Sequence, residues 1–343
     1  MLEQISVKNL GCFDDKGCLV KFSAETLLAG PNNAGKSMLL ASMNFFRWCL
    51  ITGSASWDTE YFSLHNFRAA VNLHDPNKVI HTVFTLGSIT FDCEYQTEKG
   101  GVVIKANDQR IYPGESPYAD ILKKIWCLRP NRSLVPYQSV VGPSSDQLQP
   151  LRPSGFNVIN FLLERWTDRD KNWNQAEKWL RKIDPDMSEL KTPITGQMAS
   201  LETTFANTDV NISLQGSGFQ SAAAIVSAVV FSPEGSTLII EEPEAFLHPQ
   251  SQEVIVDMLN DAVRNHNKQV IFSTHSCNIL LPFFNDIGVE GATRNEKEHV
   301  AADPEKFSMW TFEKISGKVS TKRYALHEKT FRNFRDDFKY IWG

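Results

Sequence analysis

Several classes of protein are excluded by what the sequence has little of. Its six cysteines are scattered and form no C-x-x-C pair, so we expect reduced thiols rather than a zinc site or a disulfide framework. No run approaches the roughly 18 apolar residues of a membrane-spanning helix, and the first residues lack the basic and apolar regions of a secretion signal. These gaps predict a soluble, cytoplasmic protein.

Positive charge is also scarce. The chain has 35 Lys and Arg against 40 Asp and Glu, a formal net charge of −5, so a contact with DNA would need a local basic patch or a partner. The sequence contains no sustained heptad repeat, so we expect no long coiled-coil arm. With 343 residues, 42% of them hydrophobic, the chain can bury one large core or two lobes.

A phosphate-binding loop is the strongest feature that is present. Residues 30–37 read GPNNAGKS and match the pattern G-x-x-x-x-G-K-[ST] at every fixed position. An apolar run at 26–29 predicts a buried strand before it, and strong helix formers at 38–46 predict a helix after it. The lysine would meet the β- and γ-phosphates and the serine would ligate Mg²⁺. The predicted nucleotide contacts here are Gly30, Asn32, Asn33, Ala34, Gly35, Lys36 and Ser37.

A second apolar run, at 237–240, ends in two adjacent carboxylates. A buried strand cannot neutralise two charges, so these groups need a cation or water at the carboxyl end of the strand. We expect Glu241 to support Mg²⁺ and Glu242 to orient or deprotonate the attacking water. A third run, at 269–274, ends at His275.

Between these runs, Ser217 and Gly218 precede an apolar helical segment at 222–231. A serine and a glycine at a helix start can form an anion site, since backbone N–H groups and the helix dipole point there. An ordinary Gly-Ser-Gly loop is the alternative for this stretch.

The order of these motifs resembles the SMC/RecF branch of ABC-type ATPases, and especially the OLD-like ATPases. The most specific matches are EEPEAFLHP at 241–249 and STHS at 273–276, and the opening matches at Ile5, Asn9, Leu10 and Phe13. The resemblance implies ATP and Mg²⁺ as ligands. It also implies that Ser217, Gly218 and Gln220 form a signature that binds the γ-phosphate held by another subunit, and that His275 bonds the γ-phosphate.

The predicted fold class is α/β, a P-loop NTPase of the ABC/SMC head type with a central, mainly parallel sheet. Alternating segments near 57–111 predict a flanking antiparallel meander, and the spacing of apolar residues at 157–182 predicts amphipathic helices that end before Asp184. We expect one head in two lobes: residues 1–135 plus 232–343 bind the nucleotide, and a helical lobe at about 136–231 carries the signature.

Three further residues are weaker candidates for nucleotide contact. Arg129 and Arg132 fall where the resembled family returns to the nucleotide, and one of them is a candidate phosphate contact. Gln138 is a candidate for the glutamine that senses Mg²⁺. Ordinary surface roles are the alternative for all three. The basic and aromatic residues at 329–342 predict either a docking helix or a packed terminal helix.

The resemblance also implies how the protein works. Two heads would sandwich two ATP·Mg²⁺, so hydrolysis would change the dimer. Only 67 residues follow Ser276, too few for a Toprim nuclease domain, so a nuclease is expected on a separate chain. The favoured role is the sensor ATPase of an anti-phage system that controls a separate nuclease or toxin. The alternatives are a RecF-like DNA-repair ATPase and a nucleotide-locked scaffold with little turnover.

Overall fold

The computed structural model describes most of the chain. The described residues are 1–54, 58–59, 62–63, 71–72, 75, 77–96, 101–112, 114, 117–132, 134–140, 150–276, 279, 306–315 and 318–325. The predicted docking helix at 329–342 and Cys277 lie outside them. The chain forms two compact units: the first comprises Met1–Ile125, Ile271–His275 and Asp303–Gly343, and the second comprises Trp126–Val270 and Ser276–Ala302.

The elements follow in chain order. The first eleven are β1 (Leu2–Lys8), β2 (Cys18–Lys21), β3 (Glu25–Ala29), α1 (Lys36–Thr52), β4 (Asp58–Thr59), β5 (Phe62–Ser63), β6 (Ile80–Leu86), β7 (Ile89–Gln96), β8 (Gly101–Ala106), β9 (Gln109–Ile111) and α2 (Ala119–Leu122). The next nine are β10 (Ile125–Leu128), β11 (Gln138–Ser139), α3 (Val158–Thr167), α4 (Trp173–Ile183), β12 (Met187–Lys191), β13 (Ile194–Thr195), β14 (Met198–Ala199), β15 (Glu202–Phe205) and β16 (Thr208–Asn211). After a 3-10 turn at Ile212–Leu214 come α5 (Ser217–Phe231), β17 (Thr237–Glu241), α6 (Pro249–Asn265), β18 (Gln269–Thr274), β19 (Phe307–Ile315) and β20 (Lys318–Ala325).

An antiparallel sheet in the first unit has the order β2-β1-β6-β7-β8-β9. Strands β6 to β9 form the predicted meander. Strands β1 and β2 join it, with Ile5 opposite Phe84, and the ring of Phe84 stacks on that of Phe91 with centroids 4.8 Å apart. Alternating residues of β1, including Ile5 and Val7, are fully buried, as expected of a sheet with one face on the core.

A second sheet of the first unit positions the phosphate loop. Strand β3 is buried along its whole length and lies between β18 and β19. It runs parallel to β19, whereas β20 pairs antiparallel with β19. A strand buried on both faces is typical of an α/β fold, and here it leads through residues 30–35 directly into α1.

The described part of the second unit contains β17, most of the adjacent strand β10, and four helices. As predicted, helix α4 ends at Ile183, before Asp184. Helices α3 and α5 meet through aromatic side chains. The rings of Phe161 and Phe231 lie 6.0 Å apart, and Phe161 also contacts Trp126 at 5.9 Å. The apolar spacing of this region therefore corresponds to one packed core.

The region predicted as a helical lobe also contains six short strands, β11 to β16. They form two three-stranded sheets, β11-β14-β13 and β12-β15-β16. Their sequences are rich in Ser, Thr and charged residues, so hydrophobic alternation is weak. The 3-10 turn at Ile212–Leu214 follows the last of these strands. The predicted boundaries of the helical lobe, at about 136 and 231, stay a prediction. The compact units divide the chain at other places, near residues 125 and 270.

The described part of the chain contains no helix that is both long and apolar enough to cross a bilayer. Its five cysteines carry free thiols. Burial raises the pKa of Cys18 to about 11 and that of Cys49 to about 12, so both are protonated near neutral pH and poor nucleophiles.

Candidate functional site

The phosphate loop connects the buried strand β3 to the N-terminus of the 17-residue helix α1. Lys36 is the first residue of the helix and is 6% exposed. Its Nζ donates hydrogen bonds to the carbonyl oxygens of Gly30 (2.6 Å) and Pro31 (2.9 Å). The ammonium group therefore lies across the loop itself, next to the positive end of α1.

The loop glycines are needed for the packing of the protein as well as for phosphate access. At Gly30, where φ is +146°, a Cβ would lie 2.4 Å from the carbonyl oxygen of Phe312. At Gly35, where φ is +100°, it would lie 2.7 Å from the Sγ of Cys12 and from the ring of Phe13. Glycine here therefore serves the packing of the fold in addition to allowing phosphate to approach the backbone closely.

The donors of this loop fit a polyphosphate and its metal ion. The first three N–H groups of α1 have no partner within the helix, Lys36 is the first residue of that helix, and the exposed Ser37 is in its first turn. Asn32 and Asn33 are exposed and Ala34 is buried. Lysine and backbone N–H groups suit phosphate oxygens, and a serine hydroxyl suits Mg²⁺.

His275, which is predicted to bond the γ-phosphate, belongs to the same unit. His275 follows the end of β18, which is the hydrogen-bonded neighbour of β3. Its side chain is exposed, whereas the four residues before it are buried. The structure thus places His275 and the phosphate loop after two adjacent strands. Its contact with the γ-phosphate stays a prediction.

The two predicted carboxylates lie in the second unit at the end of β17. Glu241 is the last residue of the strand, Glu242 follows it, and both are half-buried. Glu242 has φ +45°, a left-handed conformation that is uncommon for a residue with a side chain and is often found at functional sites. The carbonyl oxygen of Glu242 accepts a hydrogen bond from the N–H of Ala245 at 3.0 Å, so this backbone forms a turn.

Arg132 donates hydrogen bonds to the main chain of this turn. Its Nη1 donates to the carbonyl oxygen of Glu241 at 3.0 Å, and its Nη2 donates to that of Glu242 at 2.8 Å. The same guanidinium donates to the Oγ of Ser221 in α5 at 2.9 Å and to the carbonyl oxygen of Arg129. One side chain therefore connects the carboxylate turn to the helix that begins at the signature.

Arg132 has a role within the protein itself, and its contact with phosphate stays a prediction. The side chain is only 1% exposed, and its N–H groups are used by the protein. Burial lowers the pKa of Arg132 to about 10, while three nearby glutamate carboxylates act in the opposite direction, so it is charged at neutral pH. Sequence could not indicate this role, because most of the acceptors are main-chain oxygens. The phosphate contact of the half-buried Arg129 stays a prediction.

The signature residues begin α5. Ser217 is exposed at the first position of the 15-residue helix. Gly218 packs closely against the segment after the carboxylates, since a Cβ there would lie 2.5 Å from the carbonyl oxygen of Phe246. The second unit thus brings the signature next to the chain that follows Glu242.

Gln220 and Gln138 both use their amides within the protein. Gln220 accepts from the N–H of Leu134 at 3.0 Å and donates to the carbonyl oxygens of Ser213 and Gln215. The amide of Gln138 donates to the carbonyl oxygen of Phe156 and accepts from the N–H of Asn160. Their predicted contacts with the nucleotide and with Mg²⁺ stay predictions and would require exchange of some of these bonds.

Comparisons with known proteins agree with these motifs. Residues 146–280 match the family described as AAA ATPase domain. An OLD nuclease of Thermus scotoductus is 26% identical over 335 residues, which cover 84% of this chain and 60% of that protein. An endonuclease GajA of Bacillus cereus is 40% identical over 58 residues, 15% of this chain and 8% of the relative. The chain thus spans 60% of the length of the OLD nuclease.

Solved structures show the same fold. A head domain of Smc, bound to the C-terminal winged-helix domain of ScpA, superposes with a TM-score of 0.64 at 12% identity and covers 96% of this chain and 99% of its own. An Smc head with an extended coiled coil from Pyrococcus furiosus gives 0.63 at 12% identity, with 98% of both chains covered. The fold is therefore that of an α/β P-loop NTPase like the Smc heads, and the sequence is similar to the AAA ATPase domain family and to an OLD nuclease.

Proposed function

We propose that the chain binds ATP with Mg²⁺ and hydrolyses it as a nucleotide-gated dimer. The observation that carries the proposal is the lysine at the N-terminus of α1, held across a glycine loop that follows a buried strand. In this role Lys36 would neutralise the β- and γ-phosphates, and Ser37 and Glu241 would hold the metal ion. Bound Mg²⁺ would offset the charge of the phosphate oxygens.

Glu242 is the proposed base. Its carboxylate would take a proton from the attacking water, and His275 would bond the γ-phosphate. The turn geometry at φ +45° supports this assignment, since the backbone there is held by hydrogen bonds rather than by its own preference. Ser217 and Gly218 would bind the γ-phosphate held by a second copy, because they form the start of a helix at which Ser217 is exposed.

Sharing of each site between two copies can be tested by mixing two inactive variants. Ser217→Arg should leave ATP binding intact but block closure, because it places bulk and charge against the γ-phosphate of the other copy. Lys36→Ala should lose ATP binding but keep its signature. In a 1:1 mixture, we expect about a quarter of wild-type phosphate release, because half of the dimers are mixed and each holds one complete site of two.

Each variant assayed alone is the control. Release from the mixture that does not exceed the sum of the two single variants would mean that each chain completes its own site. Release by Ser217→Arg alone at the wild-type rate would remove the signature from the mechanism.

At the cellular level we propose an ATPase subunit of an anti-phage defence system, working in the cytoplasm and controlling a separate nuclease or toxin. The support for this role is the similarity to two proteins that are themselves named as nucleases. Neighbouring open reading frames give a direct test: an adjoining nuclease or toxin supports the defence role, whereas DNA-repair neighbours support the RecF-like alternative. That alternative also predicts ATP-dependent DNA binding that weakens steeply with salt.

A further inference from the structure

A cleft in the second unit is separate from every motif described above. It lies between the end of α3, the start of α4 and the chain after β12, and its volume is about 780 Å³. The lining side chains that matter here are Arg165, Trp166, Arg169, Trp173, Thr192 and Ile194. Pockets for small molecules typically have volumes of about 300–1,000 Å³, so the size suits a small ligand rather than a folded partner.

Three polar atoms of this lining are buried and have no hydrogen-bond partner in the described part of the chain. They are the Nε of Arg165, the Nε1 of Trp173 and the Oγ1 of Thr192. Trp173 is 7% exposed and Thr192 is 6% exposed. Buried polar atoms in native proteins are nearly always paired, so each such atom calls for an explanation. Three of them around one cleft indicate a missing partner.

The chemistry of these atoms defines that partner. The Nε of arginine and the Nε1 of tryptophan can only donate, so the missing group must be an acceptor. The lining carries two arginines against one acid, Asp170, and one carboxylate oxygen of Asp170 already accepts from the N–H of Asn172 at 2.9 Å. An excess of cationic donors favours an anion.

Aromatic rings add a second requirement. Trp166 is 48% exposed, and its ring centroid lies 5.0 Å from that of Trp173. Arg165 is held over the ring of Phe161, with its Cζ 4.8 Å from the centroid. An exposed indole beside guanidinium groups is a good surface for stacking a planar ring.

We propose that this cleft is a second ligand site, which takes a small molecule with a planar ring and an attached phosphate or carboxylate. A nucleoside monophosphate and an aromatic carboxylate share this chemistry. The proposal does not depend on the ATPase function, because none of the cleft residues belongs to the ATP motifs.

The binding test uses the full-length Lys36→Ala variant, in which binding at the phosphate loop is suppressed. AMP, adenosine, inorganic phosphate and indole-3-acetate are titrated separately, with calorimetry and tryptophan fluorescence as readouts. We expect AMP or indole-3-acetate to bind in calorimetry. AMP should also quench the fluorescence, whereas indole-3-acetate is itself a fluorescent indole and is followed by calorimetry alone. Adenosine and phosphate, which each lack one half of the chemistry, should bind at least ~10-fold more weakly than AMP. If neither AMP nor indole-3-acetate binds below about 1 mM, the proposal is wrong.

Thr192→Val is the most specific variant, because it keeps the side-chain shape and removes only the hydroxyl. If the hydroxyl bonds only a ligand, the melting temperature of the ligand-free variant should stay constant or rise. The affinity of the variant for the probe that binds should fall at least ~5-fold. Phe156→Leu is the control, because Phe156 is an aromatic residue about as exposed as Trp166 of the cleft (47% against 48%) and does not line the cleft. This variant should leave the affinity unchanged. A lower melting temperature with unchanged affinity in Thr192→Val would overturn the proposal.

Discussion

Changing Glu242 to Gln is expected to stop phosphate release while ATP stays bound. The amide keeps the size of the side chain but cannot accept a proton, and loss of a general base typically lowers a rate by about 10²–10⁴-fold. Because the closed dimer should persist while the γ-phosphate bridges two copies, ATP should shift the variant to a tight dimer. Phosphate release and light scattering after size-exclusion chromatography measure the two effects.

Glu241→Gln is the matched comparison, because it makes the same chemical change one residue earlier. Here the loss would fall on Mg²⁺, so binding of Mg·ATP should weaken and no trapped dimer should accumulate. Glu242→Gln could instead release phosphate at the wild-type rate and have the same assembly state with and without ATP. In that case Glu242 is not the base, and the proposed separate roles of the two carboxylates are wrong.

Replacing Arg132 by Lys is expected to cause the second large loss. A lysine ammonium cannot reach the four acceptors that the planar guanidinium bonds. The carbonyl oxygens of Glu241 and Glu242 would then lose the hydrogen bonds that Arg132 donates, and the left-handed turn at Glu242 would keep only the bond from the N–H of Ala245 among those described above. A misplacement of about 1 Å at a reacting group can lower a rate by about 100-fold. We expect kcat to fall by about 10- to 100-fold with little change in KM for ATP.

Arg47→Lys is the control for the cost of changing a buried arginine. Arg47 is fully buried in the first unit and also donates to main-chain oxygens, those of Leu122 and Ile125, whereas the carboxylate turn belongs to the second unit. Both variants should lower the free energy of unfolding by about 2–4 kcal/mol. If kcat falls equally in both, Arg132 acts only through stability and is not a positioning residue for Glu242.

The parts of the site that the sequence predicted are those with local signals. The phosphate loop has fixed residues at fixed spacing, and the structure places it between a buried strand and a helix. The end of α4 before Asp184 was predictable for the same reason, because Asp184 is followed by a proline that cannot continue a helix.

The parts that it did not predict depend on contacts between distant residues. The pairing of Ile5 with Phe84 joins positions far apart in the chain, so alternation in β1 could predict a strand but not its sheet. Strands β12 to β16 are short and polar, and their pairing depends on backbone hydrogen bonds rather than on a hydrophobic pattern. The role of Arg132 could not be predicted for the same reason, because most of its partners are main-chain carbonyl oxygens, which every residue carries.

The central claim is that the loop at 30–37 binds the phosphates of ATP and that the chain hydrolyses it. The most direct measurement compares wild-type protein and Lys36→Ala in a calorimetric titration with Mg·ATP, followed by a phosphate-release assay. The wild type should bind ATP and release phosphate. The variant should bind at least ~10-fold more weakly, a loss of about 1.4 kcal/mol or more, and should release none. Equal affinity in the two proteins, or a wild type that binds ATP without releasing phosphate, would contradict the account.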